Sequence, residues 1–252
     1  KEAVQTLPQR AWELVWSDEF AGAANTAPDN SKWNYDIGRG PNNDGWGNSE
    51  LQTYTNSLVN VRQDGNGNLL IVATGSNGSY TSGRIKTQGK FSQGYGRFEA
   101  RIITPYGPGV WPAFWMLGSN IVAKSWPASG EIDIVELRGR EPNRLIASAH
   151  GPGYSGGDGI GGLTQMKTFN YSTYNIYAIE WKPDQIKWLL NDKVYFTLNK
   201  KDVGDNEWVF NKEFYLIMNV AVGGQFTGEV DPDLKSGAMS VDWVRYYSLD
   251  GV

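Results

Sequence analysis

The stretch Gly130-Glu131-Ile132-Asp133-Ile134-Val135-Glu136-Leu137 places three carboxylates within six residues of what otherwise reads as a buried strand. Successive side chains of a strand point to opposite faces, so Glu131 and Asp133 share a face while Glu136, five positions on, points the other way. One β-bulge removes the conflict. An extra residue at Ile134 or Val135 shifts the phase by one, after which Glu131, Asp133 and Glu136 line one face and Ile132, Ile134 and Leu137 the other. The acidic and the apolar sets become coherent with the same bulge, and bulges concentrate beside active sites.

After such a bulge Glu131 and Glu136 stand four strand positions apart, or ~13 Å between backbones. Each side chain covers ~3–4 Å on ordinary bond lengths, so the carboxyl groups can approach to roughly 5–6 Å, close to the ~5–5.5 Å of a retaining glycosidase and short of the wider inverting pair. Asp133 lies between them, where it can hydrogen-bond one carboxylate and, through like-charge coupling, help keep another protonated. On these residues alone two other readings stay open. An acidic strand can simply be solvated, and three acids on one face can bind a hard cation.

At 252 residues, with no Pro/Ser-rich or charged linker, the chain is expected to form a single catalytic domain over 1–252, residues 1–10 being an extended N-terminal segment. A net charge of −4 gives no basic footprint for nucleic acid or an anionic membrane, so an electrically neutral partner is expected; a monomer is expected as well. Cysteine is absent, which excludes disulfides and thiolate metal sites. No run of eighteen apolar residues occurs, and residues 1–10 lack the apolar core of a signal peptide. The expectation is a mature form acting in a secreted or extracytoplasmic setting. Eleven Trp, 13 Tyr and 9 Phe beside 31 Gly suit a turn-rich β protein with flat apolar surfaces.

Strand patterns recur along the chain. Residues 12–20 alternate, and 21–30 form a small polar loop. Residues 33–50, rich in Gly, Asn and Trp, hold too little aliphatic content for a core element and read as a surface loop carrying recognition groups. A hairpin joins Leu58–Arg62 to Leu69–Ala73 through Asp64-Gly65-Asn66-Gly67. Arg84–Thr87 and Gly96–Ile103 alternate as strands with one solvated face, and Trp111–Leu117 sets Trp111, Ala113, Trp115 and Leu117 on one side. Arg144–Gly151 reads as an antiparallel neighbour of the acidic strand, ending at the only histidine, His150, before a Gly-rich loop over 151–162. Tyr177–Trp181, Ile186–Leu190 and Val194–Leu198 form a meander, and Phe214–Val222 and Met239–Tyr247 supply two more strands. Roughly a dozen short strands, without a long helical period or an internal repeat, predict an all-β, two-sheet antiparallel sandwich.

The run Trp126-Pro127-Ala128-Ser129-Gly130 followed by Glu-Ile-Asp-Ile-Val-Glu resembles the signature of family 16 glycoside hydrolases, specifically the laminarinase-type β-1,3-glucanases. Trp-Ser-Asp-Glu-Phe at 16–20, Trp46–Thr55, Gly83–Arg101, Trp111–Gly118, Met218–Gly224 and Val241–Tyr247 agree in order, so the resemblance spans nearly the whole chain. It implies a concanavalin A-like β-jelly roll with an open concave cleft, and endo-hydrolysis of β-1,3-glucan (laminarin), with mixed β-1,3/1,4-glucan as a further substrate. By position Glu131 is then the nucleophile, Asp133 its assisting acid and Glu136 the general acid/base. The bulged motif separates laminarinases, agarases and carrageenases from strict mixed-linkage enzymes, and the Trp46–Tyr54 block favours a glucan over a galactan.

A pyranose offers a flat C–H face to an aromatic ring and a rim of hydroxyls to directed donors and acceptors. Trp111, Trp115 and Trp126 are candidates for the first, and Asn48, Arg84 and Asn219 for the second. Each tryptophan could instead pack in the core. His150 could be a satisfied strand-end residue or a donor to sugar or carboxylate. After Ala221-Val222-Gly223-Gly224 many relatives carry Trp, where this chain has Gln225-Phe226. The resemblance also implies a structural calcium on backbone oxygens of Glu19 and Gly67 and the Asp242 carboxylate, and no catalytic cofactor. A galactan-cleaving relative, a transglycosylase and a non-catalytic glycan-binding module are the competing readings.

Overall fold

The computed structural model describes residues 12–76, 78–165 and 170–249, with the side chains of 163–165 left aside. The expected N-terminal segment 1–10 lies outside the described residues. In chain order the strands are β1 (Trp12–Asp18), β2 (Asn34–Tyr35), β3 (Gln52–Tyr54), β4 (Val61–Gln63), β5 (Leu69–Ser76), β6 (Ser79–Ser82), β7 (Arg84–Lys86), β8 (Gly96–Ile103), β9 (Val110–Gly118), β10 (Glu131–Glu136), β11 (Arg144–His150), β12 (Ile160–Gln165), β13 (Asn175–Lys182), β14 (Gln185–Leu190), β15 (Lys193–Asn199), β16 (Phe214–Val222) and β17 (Ser236–Leu249).

They build the expected two-sheet sandwich. One sheet runs β15-β14-β13-β8-β17-β5-β6-β3, with β1 beside β17 and β4 beside β5; the other runs β12-β11-β10-β9-β16-β7-β2. Among the described residues the only parallel strand pair is β3 with β6. The core fills the space between the sheets. Phe98, Ala100 and Ile102 of β8 and Ile179 and Trp181 of β13 meet Phe114 and Met116 of β9 and Leu216 and Met218 of β16. Period-two alternation then sends the odd residues of β9, Trp111 to Leu117, to the outer face of the seven-stranded sheet, where they line a cleft of about 840 Å³.

Local chemistry sets the connections. Asn191 and Asp192 both hold positive φ (48° and 65°), the backbone of a primed two-residue turn whose twist matches the strands it joins, β14 and β15.

Five expectations need correction. Residues 33–50 are not wholly a surface loop: Trp33 is buried at 1% exposure and donates its indole N–H to Asp18 Oδ2 at 2.7 Å, and Asn34–Tyr35 forms β2. One large aromatic supplies the burial that an aliphatic search misses. Leu58 and Val59 are exposed and precede the hairpin, because the chain turns at Ser57–Asn60 before β4 begins. The Gly-rich loop after His150 gives way to β12, whose glycines mark close approach: a Cβ on Gly162 would lie 2.4 Å from Cγ of Phe196. Glu99 on β8 does not face open water; it is 5% exposed and paired with Arg97. Nor does Arg84 on β7, which lines the cleft paired with Asp36.

Candidate active site

The register around β10 places the bulge where alternation demanded it. Against β9, Asp133 pairs with Trp115 and Val135 with Phe114, so two steps on β10 answer one on β9 and Ile134 is the extra residue. Against β11, Asp133 pairs with Ser148 and Glu136 with Ile146. Glu131, Asp133 and Glu136 all line the cleft, while Ile132, Ile134, Val135 and Leu137 are buried in the core. The carbonyls at the bulge find partners from the opposite sheet: the Trp188 indole donates to the Asp133 carbonyl at 2.8 Å, and the Tyr195 hydroxyl to that of Ile134 at 3.4 Å.

Around the acids the donors are sparse and specific. His150 Nε2 lies 3.0 Å from Asp133 Oδ2 and 3.9 Å from Glu131 Oε1, and Trp111 Nε1 donates to Glu136 Oε1 at 3.1 Å. Burial, reinforced by the neighbouring Asp133 charge, pushes Glu131 up to about 8, against the opposing pull of His150 and the Trp126 indole. Burial and the Glu131 charge push Glu136 up to about 7, and burial with the Glu136 charge drives Asp133 well above its ordinary value. Three carboxyls this close do not all ionise together, so the cluster as a whole keeps a proton to higher pH than isolated carboxyls, and acid catalysis needs one such proton. Ligating atoms of Glu131, Asp133 and His150 lie within 4.8 Å of one another, so they could also hold a metal ion. A cation there would occupy the carboxylate that nucleophilic attack needs.

All seven expected sugar-binding residues reach the cleft: Asn48, Arg84, Trp111, Trp115, Trp126, His150 and Asn219. Their roles differ. The Arg84 guanidinium is sandwiched between Trp46 and Trp115, 4.5 and 4.8 Å from the ring centroids, and is anchored by Asp36. Asn219 is largely spent inside the protein, accepting from Trp115 Nε1 at 2.7 Å and donating to the Tyr54 hydroxyl at 3.0 Å. Trp126 is 43% exposed, 6.3 Å from the His150 ring. At the cleft edge, where many relatives were expected to carry a tryptophan, Phe226 stacks on Trp111 at 4.6 Å and the Arg138 guanidinium lies 4.5 Å from the Phe226 ring centroid.

Residues 46–245 match the family described as Glycosyl hydrolases family 16. The chain belongs to that family. It is 41% identical to a beta-glucanase of Rhodothermus marinus, over 94% of this chain and 85% of that protein. Among solved structures, the laminarinase catalytic domain of Thermotoga maritima superposes with a TM-score of 0.87 at 40% identity, covering 94% of this chain and 98% of that one. An endo-beta-1,3-glucanase of Pyrococcus furiosus does so with a TM-score of 0.88 at 40% identity, covering 95% of each.

In this family 16 glycosyl hydrolase the cleft is also lined by Trp46, Glu50, Arg138 and Phe226, none of them among the seven expected sugar-binding residues. Trp46 and Ser49 both sit at φ 59°, a left-handed backbone uncommon outside glycine. Arg39 supports that turn, donating to the carbonyls of Glu50 and Leu51 at 2.9 and 2.6 Å. Glu50 is 4% exposed and gathers Asn48 Nδ2, Gln52 Nε2 and the Tyr54 hydroxyl. The available signal was a Trp with glycine on both sides, in a run too polar for a core.

The three positions expected to hold calcium belong to neighbouring strands. Asp18, next to Glu19, pairs with Val244 of β17, and Leu69, two residues past Gly67, pairs with Val241, so β1 and β5 both flank the stretch of β17 that carries Asp242. Two backbone oxygens and a carboxylate are hard donors that suit calcium. The Asp242 carboxylate is paired with Arg101, however, and Glu19 turns its own carboxylate to Arg245.

Proposed function

We propose that the chain is a retaining endo-β-1,3-glucanase, with mixed β-1,3/1,4-glucan as a further substrate. The observation that carries the reading is the bulge at Ile134, which sets Glu131, Asp133 and Glu136 on one face under the cleft. The Glu136 carboxyl gives its proton to the glycosidic oxygen as the bond to the anomeric carbon breaks, and the Glu131 carboxylate forms a bond to that carbon. Glu136, now ionised, takes a proton from water. The water oxygen attacks the same carbon, the glycosyl bond to Glu131 breaks, and two inversions leave the configuration unchanged. Asp133, held by His150, stands beside Glu131 and orients it. Trp111, Trp115 and Trp126 offer ring faces to the sugars, and Asn48 and Arg84 meet their hydroxyls.

The same reading makes the protein a monomer acting outside the cytoplasm, with a structural calcium at Glu19, Gly67 and Asp242 supported by the register of β1, β5 and β17. Among the described residues no helix is long and apolar enough to cross a membrane. The decisive experiment is Glu131→Gln assayed on laminarin. A folded variant should lose roughly 10³-fold or more in reducing-sugar release; near-wild-type release would reject the assignment. Running laminarin, mixed-linkage glucan, agarose and κ-carrageenan side by side tests the sugar, and the anomer formed first tests retention.

A further inference from the structure

Trp188 lies on β14 in the ten-stranded sheet, is fully buried, and makes its one possible hydrogen bond to the Asp133 carbonyl in the other sheet, 2.8 Å away. In a regular antiparallel strand a carbonyl lies in the sheet and bonds to a neighbouring strand. At a bulge the extra residue disrupts that ladder. The Asp133 carbonyl faces the dry interior, and the indole N–H meets it there. Tyr195 on β15 does the same for the next carbonyl, Ile134, at 3.4 Å. The alternative to the bulge is a slip of one residue, which would restore the ladder and turn Glu136 into the core.

We propose that Trp188 is a positioning residue: its indole N–H holds the bulge of β10 in place and thereby sets where Glu136 stands relative to Glu131. This rests on the assignment of those two glutamates as acid/base and nucleophile. Trp188 touches no substrate. It acts through the Asp133 carbonyl, on the stretch of backbone that separates the two working carboxyls, and Tyr195 supports it from one strand over. The far sheet of the sandwich is on this view part of the catalytic apparatus.

The position of an acid matters most when the leaving group needs a proton. The test therefore compares kcat/KM on an unactivated β-1,3-gluco-oligosaccharide with kcat/KM on a 2,4-dinitrophenyl β-glycoside, whose phenolate leaves unprotonated. Trp188→Phe keeps a ring in the core and removes the donor. Trp181→Phe is the control, since its indole is equally buried and donates to the Phe210 carbonyl at 3.2 Å, away from the bulge. For Trp188→Phe the oligosaccharide value should fall roughly tenfold or more, carried by kcat with KM little changed, while the aryl glycoside falls no more than about threefold. Trp181→Phe should lower Tm without altering the ratio between substrates. Equal losses on both substrates for Trp188→Phe, or the same ratio change in Trp181→Phe, would overturn the proposal. If Trp188→Phe does not fold, Tyr195→Phe decides it, with a smaller shift of the ratio in the same direction expected and an unchanged ratio counting against. A turnover-competent Glu131→Gln would instead reject the parent assignment, whatever Trp188 does.

Discussion

Glu131 keeps its proton to a higher pH than an exposed glutamate because the cleft withholds water and Asp133 stands beside it. That cost is a stability statement. Its folded value, about 8, lies above the ordinary 4.5, so the folded protein binds more protons than the unfolded chain between those pH values. Stability from this group is full below pH 4.5 and is lost as pH rises toward 8. Glu131→Gln cannot titrate, so its Tm relative to wild type should climb across that window, at up to ~1.4 kcal/mol per pH unit. Melts at pH 4, 6 and 8 check this, and a constant difference would contradict it. At Glu136 the Trp111 indole opposes burial by bonding the carboxylate. Trp111→Phe should therefore move the basic limb of the kcat/KM profile to higher pH and lower the maximum by roughly tenfold. An unshifted limb would show that Trp111 serves only as a sugar platform.

One inserted residue does the work of a motif in β10. Deleting Ile134 would give plain alternation with Glu131, Asp133 and Glu136 still on one face, and would remove a buried isoleucine and the carbonyl that Tyr195 bonds. The deletion should keep measurable glucan hydrolysis while lowering Tm by about 10 °C, whereas Ile134→Val, which keeps the count, should cost about 1 kcal/mol and little activity; complete loss of hydrolysis in a folded deletion variant would show that the bulge itself, and not only the shared face, is required. Hydrolysis assays and thermal melts on the pair separate counting from packing. β9 and β11 were readable because each alternates cleanly between one buried and one cleft-facing side. β12 was not, since its Gly161 and Gly162 carry no side chain to alternate, and only the approach of the Ala147 carbonyl and the Phe196 ring shows why glycine sits there. The turn at Gly45–Ser49 was legible as a recognition loop but not as the seat of Trp46, because its positive φ depends on Arg39 and on the cleft wall it completes.

On the outer face of the ten-stranded sheet, far from the acids, Arg97 joins Glu99, Glu180 and Asp192. Arg97 is 12% exposed and Glu99 6%, so removing the guanidinium leaves a buried charge without a partner. Arg97→Met should cost about 3 kcal/mol of stability with kcat and KM unchanged, measured by denaturant melts beside laminarin assays. Loss of activity in a folded variant would mean that this face communicates with the cleft. The sequence by itself determined the sandwich, the bulge and the shared face of the three acids, because alternation with period two is a local rule and a break in it has few repairs; the seven groups of the cleft came from the family resemblance and the chemistry of a sugar. Only the tertiary structure decided that Asn219 is spent on Trp115 and Tyr54, that Arg84 is stacked between Trp46 and Trp115, and that Trp188 crosses the core to the bulge. Those are contacts between strands distant in sequence, and register and sheet packing, which no local period encodes, create them.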